Sequence, residues 1–160
     1  MEIDVLIDDG VTVPFGAEWL HSIAGQVLAS ESAGSNAELS LVITGQDRIR
    51  QLNRDYRGKD EPTDVLAFAA TGEGGAELPP FVSPPDGVRH LGEVVISYPQ
   101  AVIQAAEQQH PVEQEIAILV IHGVLHLLGY EHDVPERERR MKAREVEILG
   151  LIKEGWHEAG

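Results

Sequence analysis

The chain contains no cysteine. Disulfides, thiolate metal sites and cysteine nucleophiles are therefore excluded together, and any metal must be held by His, Asp or Glu. A long apolar run is also lacking: the most hydrophobic stretch, residues 116–129, is interrupted by two histidines and is too short to span a bilayer. The opening "MEIDVLIDDG" has neither the basic flank nor the apolar centre of a secretory signal, so a cytoplasmic location without membrane association is expected. Positive charge is the third scarcity. Twelve Lys and Arg stand against 27 Asp and Glu, for a net charge of -15, which on average opposes a polyanionic partner.

The average conceals a pattern. Five of the twelve cations (Arg48, Arg50, Arg54, Arg57, Lys59) fall in residues 48–59, and five more (Arg137, Arg139, Arg140, Lys142, Arg144) in residues 137–144. Each window holds one acid, Asp55 or Glu138, and so carries +4. Two solvated helix faces would produce this, and so would basic patches on an acidic body.

With 160 residues, 42% of them apolar and 24% charged, the chain is expected to form one domain, 1–160, around a sizeable core. "EIDVLID" alternates as a strand with one wet face, and "AEWLHSIAGQVLASE" spaces its apolar residues as a helix. "AELSLVIT" reads as a strand, "GQDRIRQLNRDYRG" as a helix with Ile49, Leu52 and Tyr56 on one side, and "TDVLAFAA" as a third strand. Residues 71–90 are dense in glycine and proline and read as a loop. A fourth strand, "LGEVVIS", leads through Ser97 and Pro99 into a helix. Pro111 opens another helix, apolar nearly all round, which predicts burial at the centre of the fold. Asp133 and Pro135 start a last helix running to about Gly150, with Met141, Ile148 and Leu149 inward. The expected fold is α+β: a small mixed four-stranded sheet packed with helices around a buried central metal-binding helix, in the manner of zincins.

The metal enters through "HGVLHLLGYEHD", residues 122–133. Residues four apart share a helix face, so His122 and His126 can direct ring nitrogens at one point. Gly129 falls where a helix can end in the left-handed conformation, and His132 can then return to the same point. Three neutral imidazoles leave a fourth position open, as catalytic zinc sites do. One Zn2+ per chain suits this set; nickel and copper also accept imidazole and are not excluded by spacing.

The frame H-x-x-x-H-x-x-G-x-x-H is the spacing of metzincin proteases, which place a glutamate base directly after the first histidine. Here that position is Gly123, and Met141 lies in a helical segment instead of a turn. A peptidase would keep the geometry and lose its base.

"HGVLHLLGYEHD" resembles the H-G-x-L-H-L-x-G-Y-D-H signature of the YbeY family of metal-dependent endoribonucleases. "LNRDYRGKDEPTDVLAFA", residues 52–69, is similar to that family's N-x-x-Y-R-x-x-x-x-P-T-D-V-L-S-F block, and "LGEVVIS" resembles its L-G-D-I-x-I-S strand. The resemblance covers roughly residues 38–150 in the family's order. Departures are Glu131 and Glu93 for Asp, Ala67 for Ser, and a longer loop at 71–90.

The resemblance implies an enzyme that cleaves single-stranded ribosomal RNA, in 16S rRNA 3′-end processing and ribosome quality control, with ribosomal particles as partners. It carries the metal-ligand role onto His122, His126 and His132 and a catalytic role onto Arg57. A planar, always charged guanidinium can hold a phosphodiester through two hydrogen bonds. The alternative for Arg57 is a helix-end arginine paired with Asp55 or Asp60. Tyr56 and Tyr130 could stack on bases or serve packing. The alternative functions are a metal-dependent hydrolase of another substrate, such as a peptide, and a ribosome-associated binding factor with a structural metal.

Overall fold

Alternation and turn chemistry set the order of elements. In a computed structural model, which describes residues 2–32, 36–69, 89–130 and 133–159, strand β1 (Glu2–Ile7) is followed by helix α1 (Ala17–Ser30), strand β2 (Ala37–Thr44) and helix α2 (Gln46–Arg57). Strands β3 (Val65–Ala69) and β4 (Arg89–Ser97) precede helices α3 (Tyr98–Gln108), α4 (Val112–Leu127) and α5 (Pro135–Ala159). The strands form one mixed sheet in the order β1-β2-β4-β3. β1, β2 and β4 run parallel, and β3 pairs antiparallel to β4 at the edge. The expected four-stranded mixed sheet with helices is thus observed.

Period-two alternation gives the sheet two unequal faces. Leu39, Leu41, Ile43, Val94 and Ile96 point toward α1, α4 and α5, where they join Leu20, Ile23, Leu28, Ile116, Ile121, Leu125, Met141 and Ile152 in the main core. Val42, Leu66 and Val95 point the other way and meet Ile49 and Leu52 of α2, with Phe68 beside them. α2 and α4 therefore lie on opposite faces of the sheet. Each fully buried aliphatic side chain of α4, such as Ile116, Ile121 or Leu125, stabilises the fold by about 1.5–3 kcal/mol.

α4 is central, as its apolar sequence predicts, but it is not enclosed all round. Gln114, Ile118, His122 and His126 are only partly buried, and their spacing of four makes them a single stripe along the helix. The stripe is the side that the sheet and the neighbouring helices cover least. At its C-terminal end, Gly129 takes a positive φ of 104°, while its N–H reaches His126 O at 3.0 Å and the N–H of Tyr130 reaches Leu125 O at 3.0 Å. These two bonds are the paired closure of a Schellman motif, which a glycine at this position permits.

Two boundaries differ from expectation. α5 continues through Gly150 to Ala159, because Ile152 extends the inward series Met141, Glu145, Ile148 by another turn. One exposed helical glycine costs about 1 kcal/mol, less than burying Ile152 returns. β4 begins at Arg89, two residues earlier than its hydrophobic pattern suggests. The remainder of the predicted glycine and proline loop, through residue 88, lies outside the described residues. Ser97 caps α3 as expected, its Oγ accepting from Gln100 N at 3.3 Å. No helix among the described residues is long and apolar enough to cross a membrane.

The seating of α4 on β4 depends on Gly123. A Cβ built there would lie 2.5 Å from Cγ1 of Val94, a β-branched side chain with little freedom to move aside. Gly123→Ala is expected to destabilise the protein by about 1–3 kcal/mol through overpacking, despite the roughly 1 kcal/mol that alanine gains in helix propensity. Urea unfolding should show this loss, and Val94→Ala should relieve part of it in the double variant. A neutral or stabilised Gly123→Ala protein would contradict the close contact.

Candidate functional site

The open stripe of α4 carries the two helical histidines. Their rings meet edge to face at 4.6 Å between centroids, and Nε2 of His126 lies 3.1 Å from Nε2 of His122. Behind them, Nδ1 of His122 donates to Glu145 Oε1 at 2.6 Å, from a carboxylate that α5 presents on its inward face. Donation from Nδ1 makes Nε2 of His122 the accepting nitrogen on the side of His126. A carboxylate holding the far nitrogen of a ligand imidazole is the usual arrangement around protein-bound zinc.

The donor set can be tested against the metal it implies. Two zinc–nitrogen bonds of about 2.0–2.1 Å at a tetrahedral angle hold their nitrogens roughly 3.3 Å apart. The observed 3.1 Å between the two Nε2 atoms is close to this. Among the described residues no third His, Asp or Glu joins them as a donor group. His132, the expected third ligand, and Glu131 beside it lie outside the described residues.

Glu145 is the candidate site residue that the sequence reading did not single out. In "KAREVEIL" it reads like any solvated helical acid, and its partner lies 23 positions upstream. Its register offers the only signal, since it falls between inward Met141 and Ile148.

The segment after α4 is anchored by a second set of polar contacts. Arg144 on α5 reaches Glu31 Oε2 at 3.0 Å and Ser30 O at 3.1 Å, and also pairs with Glu147. Tyr130 hydrogen-bonds to Glu31 in the same cluster. Tyr130 is thereby committed to holding the chain where it leaves the Schellman turn. Beyond this turn, Leu128, Gly129, Tyr130, Arg137 and Arg140 line an open cavity of about 450 Å³. Arg137 pairs with Asp133 at 3.2 Å and Arg140 with Glu136 at 4.0 Å. α5 is thus a laced helix face with a cationic rim.

Arg57 lies in the last turn of α2, exposed, on the face of the sheet opposite α4. The two carboxylates that could have taken it are engaged elsewhere. Asp60 binds Arg50 at 2.8 Å, which holds the Asp60 carboxyl below its ordinary range, and Asp55 binds Arg54 at 3.3 Å. Among the described residues no ion pair or hydrogen bond engages the Arg57 side chain, and none joins it to His122 or His126. The loop after it is firmly tied. Gly58 adopts the left-handed cap at φ 73°, Asn53 Nδ2 donates to Glu61 O at 2.9 Å, and Asp64 Oδ1 accepts from Val65 N at 2.7 Å. These bonds make Asn53, Gly58 and Asp64 the scaffold of the turn that follows Arg57 and leads into edge strand β3.

A family profile described as Endoribonuclease YbeY matches residues 10–153 of this chain. The chain belongs to the YbeY family. Among proteins of that name, one from Dehalococcoides mccartyi (strain ATCC BAA-2266 / KCTC 15142 / 195) is 46% identical over 157 residues, covering 96% of this chain and 91% of its own length. One from Chloroflexus aurantiacus (strain ATCC 29366 / DSM 635 / J-10-fl) is 43% identical over 151 residues, covering 94% of each. One from Roseiflexus sp. (strain RS-1) is 47% identical over 156 residues, with 92% and 95% coverage. The solution structure of TM1509 from Thermotoga maritima is similar in fold, with a TM-score of 0.59, 24% identity, and coverage of 96% of this chain and 93% of that one.

The Glu31 bond has a titration signature. The Tyr130 phenol is raised above its ordinary value of 10.0, first by the hydrogen bond to Glu31, then by burial and the Glu31 charge. A phenol whose folded pKa is raised contributes stability that is full below the unfolded value near 10 and is lost as pH rises through the folded one. Phenolate absorbance, assigned by comparison with Tyr130→Phe, should show Tyr130 titrating above the ordinary value. In Glu31→Gln it should return toward that value, and identical curves in the two proteins would remove the bond.

Proposed function

We propose that this protein is a metal-dependent endoribonuclease that cleaves single-stranded ribosomal RNA in the cytoplasm during ribosomal RNA maturation, including 16S 3′-end processing and quality control. The observation that carries the reading is the convergence of the His122 and His126 Nε2 atoms in front of a carboxylate-held imidazole, in a chain of the YbeY family. The relatives named Endoribonuclease YbeY supply the RNA and phosphodiester assignment.

His122, His126 and His132 would hold the metal, with zinc the best fit to three imidazoles and nickel or copper as alternatives. Bound there, the ion would supply a Lewis acid for the phosphoryl oxygen and lower the pKa of water. The chain's own groups do the rest. Glu145 holds His122 in the tautomer whose Nε2 faces the site. Arg57, exposed and without a carboxylate partner among the described residues, offers two parallel N–H donors to the substrate phosphate and stabilises charge as the bond breaks. In this reading the strand passes over the edge of β3, which both α2 and α4 contact. Arg137 and Arg140 extend positive charge past the end of α4 and would hold the backbone on the other side.

The peptidase alternative loses ground at Gly123. Even a methyl group there would strike Val94, so the position after the first histidine cannot carry a carboxylate base in this packing.

Metal analysis beside an RNA cleavage assay tests the proposal. The purified protein should contain one metal per chain, and His126→Ala should lose both metal and cleavage. Arg57→Ala should retain metal while turnover falls about 10²- to 10³-fold, the usual cost of one transition-state donor. Unchanged turnover would remove Arg57 from the mechanism, and binding to ribosomal particles without cleavage would favour a binding factor. Glu145→Ala should weaken zinc affinity about 10- to 100-fold in competition with a chelator while helix content is retained. Unaltered affinity would show that the carboxylate does not orient the ligand.

A further inference from the structure

The exposed aromatic beside Arg57 has no structural task that explains its position. The chain has three Tyr, three Phe and two Trp. Among the described side chains, Phe15, Trp19 and Tyr98 pack on one another at 4.9 and 6.1 Å and against the main core. Tyr130 is committed to Glu31. Tyr56, by contrast, is 67% exposed. The helical pattern places it in line with inward Ile49 and Leu52, yet at the end of α2 the sheet runs out. Among the described aromatic rings, Phe68 of edge strand β3 lies against it, at 5.2 Å between centroids and tilted by 59°. One side of the Tyr56 ring is therefore backed and the rest is open to solvent.

The surroundings favour a polyanion. Tyr56 directly precedes Arg57, and Arg57 and Lys59 keep their charge without a carboxylate partner among the described residues, while Arg50 and Arg54 are paired. A backed, exposed ring next to an uncompensated guanidinium has the two elements by which proteins hold single strands: a stacking surface for a base and a cation for the adjoining phosphate. Aromatic stacking requires little sequence preference, because every base offers a π face.

We infer that Tyr56, supported by Phe68, is a base-stacking platform that holds one nucleotide of a single-stranded RNA while Arg57 engages the neighbouring phosphate. This rests on the ribonuclease reading above and adds to it a positioning residue on the α2 side of β3. Tyr56 takes no part in bond cleavage. It fixes the register of the strand and so acts on binding more than on turnover.

Binding of a fluorescent single-stranded oligouridylate, measured by anisotropy in the cleavage-deficient His126→Ala background, tests the platform. Tyr56→Ala should raise Kd roughly 5- to 100-fold, whereas Tyr56→Phe and Tyr56→Trp should stay within about twofold of the parent because either ring can stack. Metal content, measured in the otherwise unaltered protein, and thermal unfolding should be unchanged in Tyr56→Ala. The salt dependence should also persist in Tyr56→Ala but flatten in Arg57→Ala, since only the latter removes a phosphate contact. Moving a single abasic position along the oligonucleotide should weaken binding to the parent at one register and leave Tyr56→Ala indifferent there. If the unaltered protein cleaves RNA and Tyr56→Ala binds as tightly as the parent, the platform is overturned while the ribonuclease reading stands. If the unaltered protein neither binds nor cleaves RNA, both fall.

Discussion

The close approach of α4 to β4, where Gly123 rests on Val94, is the constraint from which the rest of the architecture follows. Without a side chain at 123 the helix sinks onto the sheet, and α1, α3 and α5 close around it. Such seating leaves a single stripe least covered, and a stripe on an α-helix has a spacing of about four residues. Along the C-terminal half of α4 the histidines use that stripe, since on the other faces an unpaired imidazole would meet the aliphatic core, whereas near the N-terminus buried Glu115 is satisfied by His110 and Gln104. His122 and His126 are placed there by packing as much as by spacing. The same contact that exposes them removes room for a carboxylate between them, so one packing decision both builds the donor pair and excludes the protease arrangement.

α5 completes what α4 begins. A histidine pair on a helix fixes two ring positions but not the ring tautomers, and an unoriented imidazole is a poor ligand. The long terminal helix passes behind the pair, and Glu145 reaches His122 because Met141, Ile148 and Ile152 hold that face of α5 inward. The residue directly before Glu145, Arg144, ties α5 to the end of α1 through Glu31. An apolar stripe thus sets the register at which a carboxylate meets a ring, and the neighbouring ion pair holds that register. Continuation of α5 beyond Gly150 belongs to the same logic, because the extra turn adds Ile152 to the face that carries Glu145.

What was legible in the sequence was whatever local rules govern. The i, i+4 histidines, the positive φ at Gly129 and the Ser97 cap depend on residues within one or two turns, and the structure places all three as read. β1 was legible because its alternation reports one wet face, and the other strands because short apolar runs are bounded by turn residues. Long-range geometry was not. Glu145 could not be told from its charged neighbours, since its meaning lies in α5 crossing α4. The fate of Arg57 was equally hidden: Asp55 and Asp60 were both plausible partners, and only the fold shows Arg54 and Arg50 occupying them. Gly150 misled because a glycine near the end of a pattern stops a helix only when no buried residue lies beyond it.

Tyr56 shows where periodicity and burial separate. Helical spacing assigns a side chain to a face, but burial also needs something opposite that face, and β3 is the last strand of the sheet. Ile49 and Leu52 lie over Val42, Val95 and Leu66, whereas Tyr56 extends to the margin, where its ring meets that of Phe68. An aliphatic residue at that margin would cover Phe68 with less exposed surface. A tyrosine covers it and still presents a polar-tipped ring to solvent, next to cations that the fold leaves without carboxylates. Edge strand β3 is also the strand that α2 and α4, on opposite faces, both contact. A strand crossing β3 would meet the stacking ring and guanidinium on one side and the histidine stripe on the other. For two separated helices to act on one substrate, an edge strand between them is the geometry that allows it.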